Sequence, residues 1–469
     1  MLRQIILIMC LLGVVSAEAG LKNLSLKRAI NMLEKNNLEI KISRFKEQMK
    51  AHEVRIAKGY NYGKLDLSLS GMRSNDAGNV FGFKMQSREA SFADFGVNEF
   101  LAPLGQAIGA VAQGQMPQDM SGLLDVQPSA LNYPDARNHF QTKLTYVLPL
   151  YTGGKLTEYA RISEGMVQMS RLDTQKILNE KIFQTKKSFY DISLVTRYIT
   201  NLSKIINNID RLENIVREMV KEGYAKNIDI LEVEARKVEA QSMLNQAKLN
   251  KKLAYQFLSF LMNREVSSIR KIKDMAPIPY LEGSRASKNN IDIQKALLGL
   301  KIAKMAVAVE KAKFLPTVGF FAEYGSADNV LFNEFFDKDA YTFGLQLQWN
   351  FYNGNIDALN LERAKVNYML VQDQVILAKK GIDLKVKKLQ TEVLSANGDI
   401  RNYNKQFSFA KKVYSHYKAQ YKEGIVSVSA VLMKQSKELE ILLKLLTVKN
   451  NRNTKIFELN SILNIKGSI

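Results

Sequence analysis

The chain has 469 residues, a formal charge of +21, three histidines and a single cysteine. Cys10 lies within the first twenty residues, so a chain trimmed there carries no disulfide, thiolate nucleophile or Cys-based metal site. His52, His139 and His416 are far apart and read as surface residues without ligand spacing, and the lysines are dispersed among glutamates rather than gathered into a nucleic-acid face.

The N-terminal residues form a separate object. Arg3 supplies a positive end, Ile5 to Val15 is apolar, and Ser16-Ala17-Glu18-Ala19 places small residues at a signal-peptidase spacing. Residues 1–19 are therefore expected to be a secretory signal, with the mature chain starting near Glu18 or Gly20. The apolar run is too short to span a bilayer as a helix. No run of 18 apolar residues follows it, so entry into a membrane would require strands of a closed barrel.

Next come candidate strands at about 65–72 and 140–150, separated by residues 73–138. A second pair falls at about 316–325 and 341–351. From Tyr341 to Phe351 apolar and polar residues alternate strictly: Tyr341, Phe343, Leu345, Leu347, Trp349 and Phe351 share one face. Alternation over about ten residues with aromatics on the apolar face fits a membrane barrel strand. Tyr341 and Trp349 stand near opposite ends of it, and Tyr146 on the earlier strand, where aromatic girdles would fall. A strand of a soluble antiparallel sheet is the alternative. Four strands cannot close a barrel, whereas three chains would supply twelve.

The stretches 155–276 and 317–469 contain none of the eight prolines. Proline breaks helix interiors, so its absence permits very long helices. In the second stretch Leu361, Ala364, Tyr368, Val371, Val375, Ala378 and Ile382 step by three and four. The series resumes at Val386, Leu389, Val393, Ala396, Ile400, Tyr403, Phe407, Ala410, Tyr414, Tyr417 and Tyr421. Such spacing predicts a coiled-coil-like helix. From 356 to 421 it would be ~100 Å long at ~1.5 Å per residue.

The chain also repeats itself. Tyr151-Thr152-Gly153-Gly154 matches Tyr352-Asn353-Gly354-Asn355, Lys221-Glu222-Gly223 matches Lys422-Glu423-Gly424, and Leu261-Met262-Asn263 matches Ile462-Leu463-Asn464, all at an offset of 201. Asn36-Asn37-Leu38-Glu39-Ile40 matches Asn289-Asn290-Ile291-Asp292-Ile293 at an offset of 253. A duplication follows, its first copy holding 52 extra residues between its strands. The expected organisation is a first repeat over 20–270 with a helical hairpin at 155–263, a linker at 271–288, and a second repeat over 289–469 with a hairpin at 356–464.

This order of elements resembles the TolC-type outer-membrane efflux family over the whole mature chain. Leu148-Pro149-Leu150-Tyr151-Thr152-Gly153-Gly154 is similar to the family's junction from strand into tunnel helix. Lys221-Glu222-Gly223 through Leu231, and Lys422-Glu423-Gly424 through Leu432, are similar to its two hairpin tips. The resemblance implies a mainly helical protein with membrane β-structure: a duplicated coiled-coil α-barrel, plus four strands per protomer in a trimeric 12-stranded barrel. It implies a homotrimer in outer-membrane lipid with a long periplasmic extension. Tips around Gly223, Tyr224, Gly424 and Ile425 would dock a periplasmic adaptor, and through it an inner-membrane transporter. It also implies a gate in which an acid and a tyrosine, here Asp229 and Tyr421, link neighbouring hairpins; the alternative is that Asp229 caps the returning helix. Family members carry acids six and nine residues after the second tip glycine. Here those positions are Ala430 and Met433, while Asp229 and Glu232 stand at the same offsets from Gly223. The segment 73–138 would be extracellular, either a cap over the mouth or a mobile surface loop.

The expected function is a passive exit duct of a tripartite efflux pump or type I secretion system. It would need no cofactor and bind no nucleic acid. No G-x-x-x-x-G-K-[ST] and no catalytic constellation is found, which reads the chain as no enzyme. A periplasmic coiled-coil scaffold without a pore would account for the heptads but not for the alternating strands.

Overall fold

The computed structural model describes residues 20–115, 122, 125–279 and 289–465. The signal reading at 1–19 and the linker residues 280–288 lie outside them. In chain order the elements are α1 (Leu26–Asn36), α2 (Leu38–Gly59), β1 (Lys64–Ser74), α3 (Ala77–Gln86), α4 (Val97–Ala112), a single turn α5 (Ser129–Asn132) and β2 (Arg137–Tyr151). The first long hairpin follows, α6 (Lys155–Lys221) and α7 (Asn227–Met262). Then come α8 (Ile291–Ala312), β3 (Thr317–Asp328), β4 (Asp339–Gln348) and the second hairpin, α9 (Ile356–Lys422) and α10 (Val428–Ile462).

Both α6 and α9 have 67 residues. The buried residues of α9, Val375, Val386, Leu389, Val393, Ile400, Tyr414 and Tyr421, all belong to the three-four series read from the sequence. The seam therefore selects the buried face, as heptad packing requires. Left-handed backbone positions recur at the 201 offset: Gly153 and Gly354, Gly154 and Asn355, Gly223 and Gly424, Asn263 and Asn464 all have positive φ. A second device recurs as well. Asn37 Nδ2 donates to Leu261 O at 3.0 Å, and Asn290 Nδ2 donates to Ile462 O at 2.9 Å. Each asparagine also accepts a backbone N–H three residues on, from Ile40 and Ile293. One side chain thus starts a helix and holds the end of a returning one, a buried amide with both functions met.

The chain divides into two units. One comprises the described residues of 1–51, 165–302 and 368–469; the other comprises 52–164 and 303–367. In the helical unit, Leu33, Phe189, Leu258, Leu261 and Phe457 anchor one core cluster. Leu202, Ile209, Val216, Val233, Tyr421 and Val431 belong to another. The second unit is built on one antiparallel sheet of order β1-β2-β3-β4. The middle pairing, β2 with β3, joins the two copies. β1 and β4 are edges.

Candidate channel wall and helix tips

The strand register sorts the sheet into two chemically different faces. One cross-strand row is Leu67, Leu144, Tyr324 and Tyr341; the adjacent row, on the other face, is Asp66, Thr145, Glu323 and Thr342. The first face continues through Leu65, Leu69, Phe343, Leu345 and Leu347, all exposed, with Leu345 at 70%. The second carries Ser68, Ser70, Gln346 and a Lys143–Glu323 ion pair of 2.7 Å. So broad an exposed apolar face marks a membrane or partner surface. Both edges offer unpaired backbone groups, which edge strands normally hide.

The three aromatic residues expected to form girdles lie on or next to this sheet. Tyr341 is near the start of β4. Trp349 follows its last residue and donates from Nε1 to Phe314 O at 3.1 Å. Tyr146 is in register with Leu65, Ala322 and, through Ala322, Phe343, and its hydroxyl donates to Tyr62 O at 2.9 Å. Each indole or phenol NH or OH on these last two meets a carbonyl, as such side chains usually do where one end is apolar.

At the other sheet end, the described part of 73–138 is helical. Val80 and Phe83 of α3 are buried. Phe83 stacks on His139, with ring centroids 4.1 Å apart and 5° between planes. His139 is thus a buried residue and not the surface histidine expected from its isolation in sequence. It pairs in register with Met72, and Arg137 pairs with Ser74, both on the face that bears Ser68 and Ser70. α3 therefore covers the polar face at this end. Charged residues fasten it. Glu89 bonds both Arg137 and Lys338, and Arg88 donates to Asp339 O. Lys338 also reaches Asp328 at 2.9 Å and Glu334 at 3.0 Å. Burial alone would raise the Glu89 pKa, but the hydrogen bonds from Lys338 and Arg137 outweigh it and hold it low. The small apolar segment Leu101–Val111 lies on α4, which buries no residue.

The hairpin tips end α6 and α9 by the same local chemistry. Gly223 N–H donates to Val220 O and Tyr224 N–H to Met219 O; Gly424 N–H donates to Tyr421 O and Ile425 N–H to Gln420 O. This paired bonding satisfies the last helical carbonyls and requires a left-handed residue, which glycine adopts without strain. The next residues project outward: Tyr224 is 80% exposed and Ile425 63%. The returning helices start differently. Asp229 accepts the Lys226 N–H at 2.9 Å, whereas Ser427 Oγ accepts the Ala430 N–H at 3.3 Å. Asp229 is therefore engaged as a cap. Tyr421 is 4% exposed, and its hydroxyl has no hydrogen-bond partner. Burial, with the Asp229 charge adding to it, pushes this phenol up to about 12. A side-chain hydrogen bond between the two tips is Ser429 Oγ donating to Glu232. Met433 is exposed on α10. Ser429 has no signal in sequence, because a serine in the first turn of a helix is common.

Among the described residues, no helix is long and apolar enough to cross a membrane, and no cluster of three His, Cys, Asp or Glu could hold a metal.

Residues 283–464 match the family model of the outer membrane efflux protein. Solved structures align with nearly the whole chain. CusC has a TM-score of 0.75 at 14% identity, covering 93% of this chain and 91% of its own. The CmeC outer membrane channel of Campylobacter jejuni has a TM-score of 0.73 at 16% identity, with 93% and 85% covered. The outer membrane protein VceC of Vibrio cholerae has 0.73 at 12% identity, with 93% and 95% covered. No curated sequence matches the chain. Residues 283–464 thus resemble the outer membrane efflux protein model, and the described chain has the fold of these solved outer-membrane channels.

Proposed function

We propose that the chain is one protomer of a trimeric outer-membrane exit duct, through which an efflux or type I secretion system passes its cargo. The observation that carries this reading is the sheet: an apolar exposed face, a polar opposite face and two free edges. Such a sheet satisfies its edge groups and its apolar face together only by closing with other copies inside lipid. Three copies give an even strand number, twelve. A second feature supports self-association. On α9, Leu359, Val366, Leu370, Leu377 and Leu384 are exposed and lie off the buried seam, at near-heptad spacing. That stripe is where a neighbouring protomer's helix would pack.

On this reading the helical hairpins extend into the periplasm, and the chain is a passive conduit without catalysis. Tyr224 and Ile425, matched and exposed behind Gly223 and Gly424, are the surface for a periplasmic adaptor. That adaptor links the duct to an inner-membrane transporter. The gate lies at the same tips, where Asp229 and Glu232 belong to the first hairpin and Tyr421, Ala430 and Met433 to the second. Opening would free Asp229 from the Lys226 N–H.

The test is purification from membranes, followed by planar-bilayer recording. Heat-modifiable trimers that conduct ions are expected, and recovery as a water-soluble monomer overturns the duct. Gly424→Trp separates docking from assembly: export should be lost with trimers intact. Tyr421→Phe and Asp229→Ala test the gate. Raised conductance in both supports a gate at these tips, and unchanged conductance in both removes it.

A further inference from the structure

In the helical unit, a cavity of about 600 Å³ opens among α1, α6, α10 and the segment 270–277. Lys186 of α6 lines it, and is 3% exposed. Among the described residues, Lys186 takes part in no hydrogen bond or ion pair. The other buried cations differ. Lys181, less than two turns earlier on the same helix, is paired with Glu39 at 2.5 Å. Lys338 is held by three carboxylates. Arg452 has three neutral acceptors: Asn397 Oδ1 at 2.6 Å, Ala276 O at 2.9 Å and Asn453 Oδ1 at 3.3 Å.

A buried ammonium is tolerated where it is paired or hydrogen-bonded. Among the described residues nothing performs that service for Lys186, and burial pushes its pKa down. The charged groups among the described lining residues are of one sign. Lys27, Arg270, Lys271 and Lys273 also line it, and among the described residues no carboxylate does. The rest of the wall is largely apolar, from Leu26, Ile272, Met275, Pro277 and Phe457. Asn460, also on the wall, has a buried Oδ1 without a donor. The volume suits a small organic molecule, and the lining has the usual form of such sites, mainly apolar with a few fixed polar groups.

We propose that this cavity binds an organic anion, its acid group on Lys186 Nζ and its apolar body against Leu26, Ile272, Met275 and Phe457. The cations at Lys27, Arg270, Lys271 and Lys273 draw the anion in, while Lys186 holds it. The ligand class is therefore an apolar carboxylate or sulfonate, such as an aryl or alkyl acid, and not a bare inorganic ion.

The experiment titrates the full-length purified protein, kept in an uncharged detergent, with 4-phenylbutyrate. Uncharged 4-phenylbutanamide and inorganic phosphate are the comparison probes, and binding is read by calorimetry and saturation-transfer NMR. One saturable site per chain is expected for the acid, with the amide and phosphate each at least tenfold weaker. Lys186→Met should weaken the acid at least tenfold and leave the amide unchanged; it removes an unpaired buried charge and so should fold. Met275→Trp, which fills the cavity with Lys186 in place, should weaken both organic probes. Equal affinity for acid and amide overturns the proposal, as does phosphate binding as tightly as the acid. So does undiminished acid binding in either variant.

Discussion

The two strand pairs are built alike but joined differently. β1 reaches β2 through residues 75–136, whereas β3 reaches β4 through residues 329–338. Four left-handed positions at helix junctions recur at the 201 offset. The connections do not, because a connection need only span two strand ends, and length there costs little. The long one nevertheless is not loose chain. It lays Phe83 on His139 and shares a cation with the short one, since Lys338 meets Glu89 from the long connection and Asp328 and Glu334 beside the short. The tips teach the same lesson in miniature: matched glycines end the outgoing helices, but Asp229 and Ser427 start the returning ones by different side-chain routes.

The largest way to break the comparison is Lys338→Met. It leaves Asp328 and Glu89 without their shared counter-charge, and removing one partner of a buried pair costs about 3–5 kcal/mol. Protease cleavage should rise in both connections together, with the barrel still heat-resistant. Cleavage confined to 75–136 would mean that the short connection stands alone.

Gly223→Val and Gly424→Val should each cost about 1–2 kcal/mol, because a β-branched residue is strained in the left-handed region. No atom stands within 4 Å of either added Cβ, so the two costs should be equal. Hydrogen exchange at each tip measures them, and a marked inequality would show that the tips are not equivalent. Smaller still is the loss of a cap: Asp229→Ala and Ser427→Ala should each destabilise their own helix start by about 1 kcal/mol. The same exchange measurement reads both, and a null effect in one would identify its cap as ornamental.

The mildest probe is acid. The folded pKa of Glu89 lies below its ordinary 4.5. Its contribution is therefore complete above that value and is lost as pH falls through the lower, folded one. Proteolysis within 75–136 should rise on acidification below 4.5 while cleavage in the short connection rises less. Glu89→Gln should flatten the dependence.

Much of this was legible in the residue order. The three-four series in 361–421 marked the side of α9 that is buried, since the sequence period and the helical period are nearly the same. The matched words at Gly153, Gly223 and Asn263 marked turns, because left-handed backbone restricts residue choice. Alternation from Tyr341 to Leu347 marked the two faces of β4, although the strand stops at Gln348, before Trp349 and Phe351. Other features carried no signal. Glu89, Arg137 and Lys338 are three charges among a quarter of the chain that is charged. Ser429 meeting Glu232, Phe83 meeting His139 and the isolation of Lys186 depend on which distant residues arrive beside them.

By itself, then, the sequence determined the periodicities and the punctuation: helix length, strand alternation, the glycines and asparagines at helix ends, and the duplication. Those are local properties, set by side-chain spacing and by the φ values each residue tolerates. The tertiary structure decided the rest. It paired β2 with β3 across the two copies, folded α3 onto the polar face of the sheet, took Asp229 as a cap and left Tyr421 and Lys186 buried without hydrogen-bond partners among the described residues. Each of these outcomes depends on groups far apart in the chain competing for the same hydrogen bonds and the same buried space. That competition is resolved only when the elements pack.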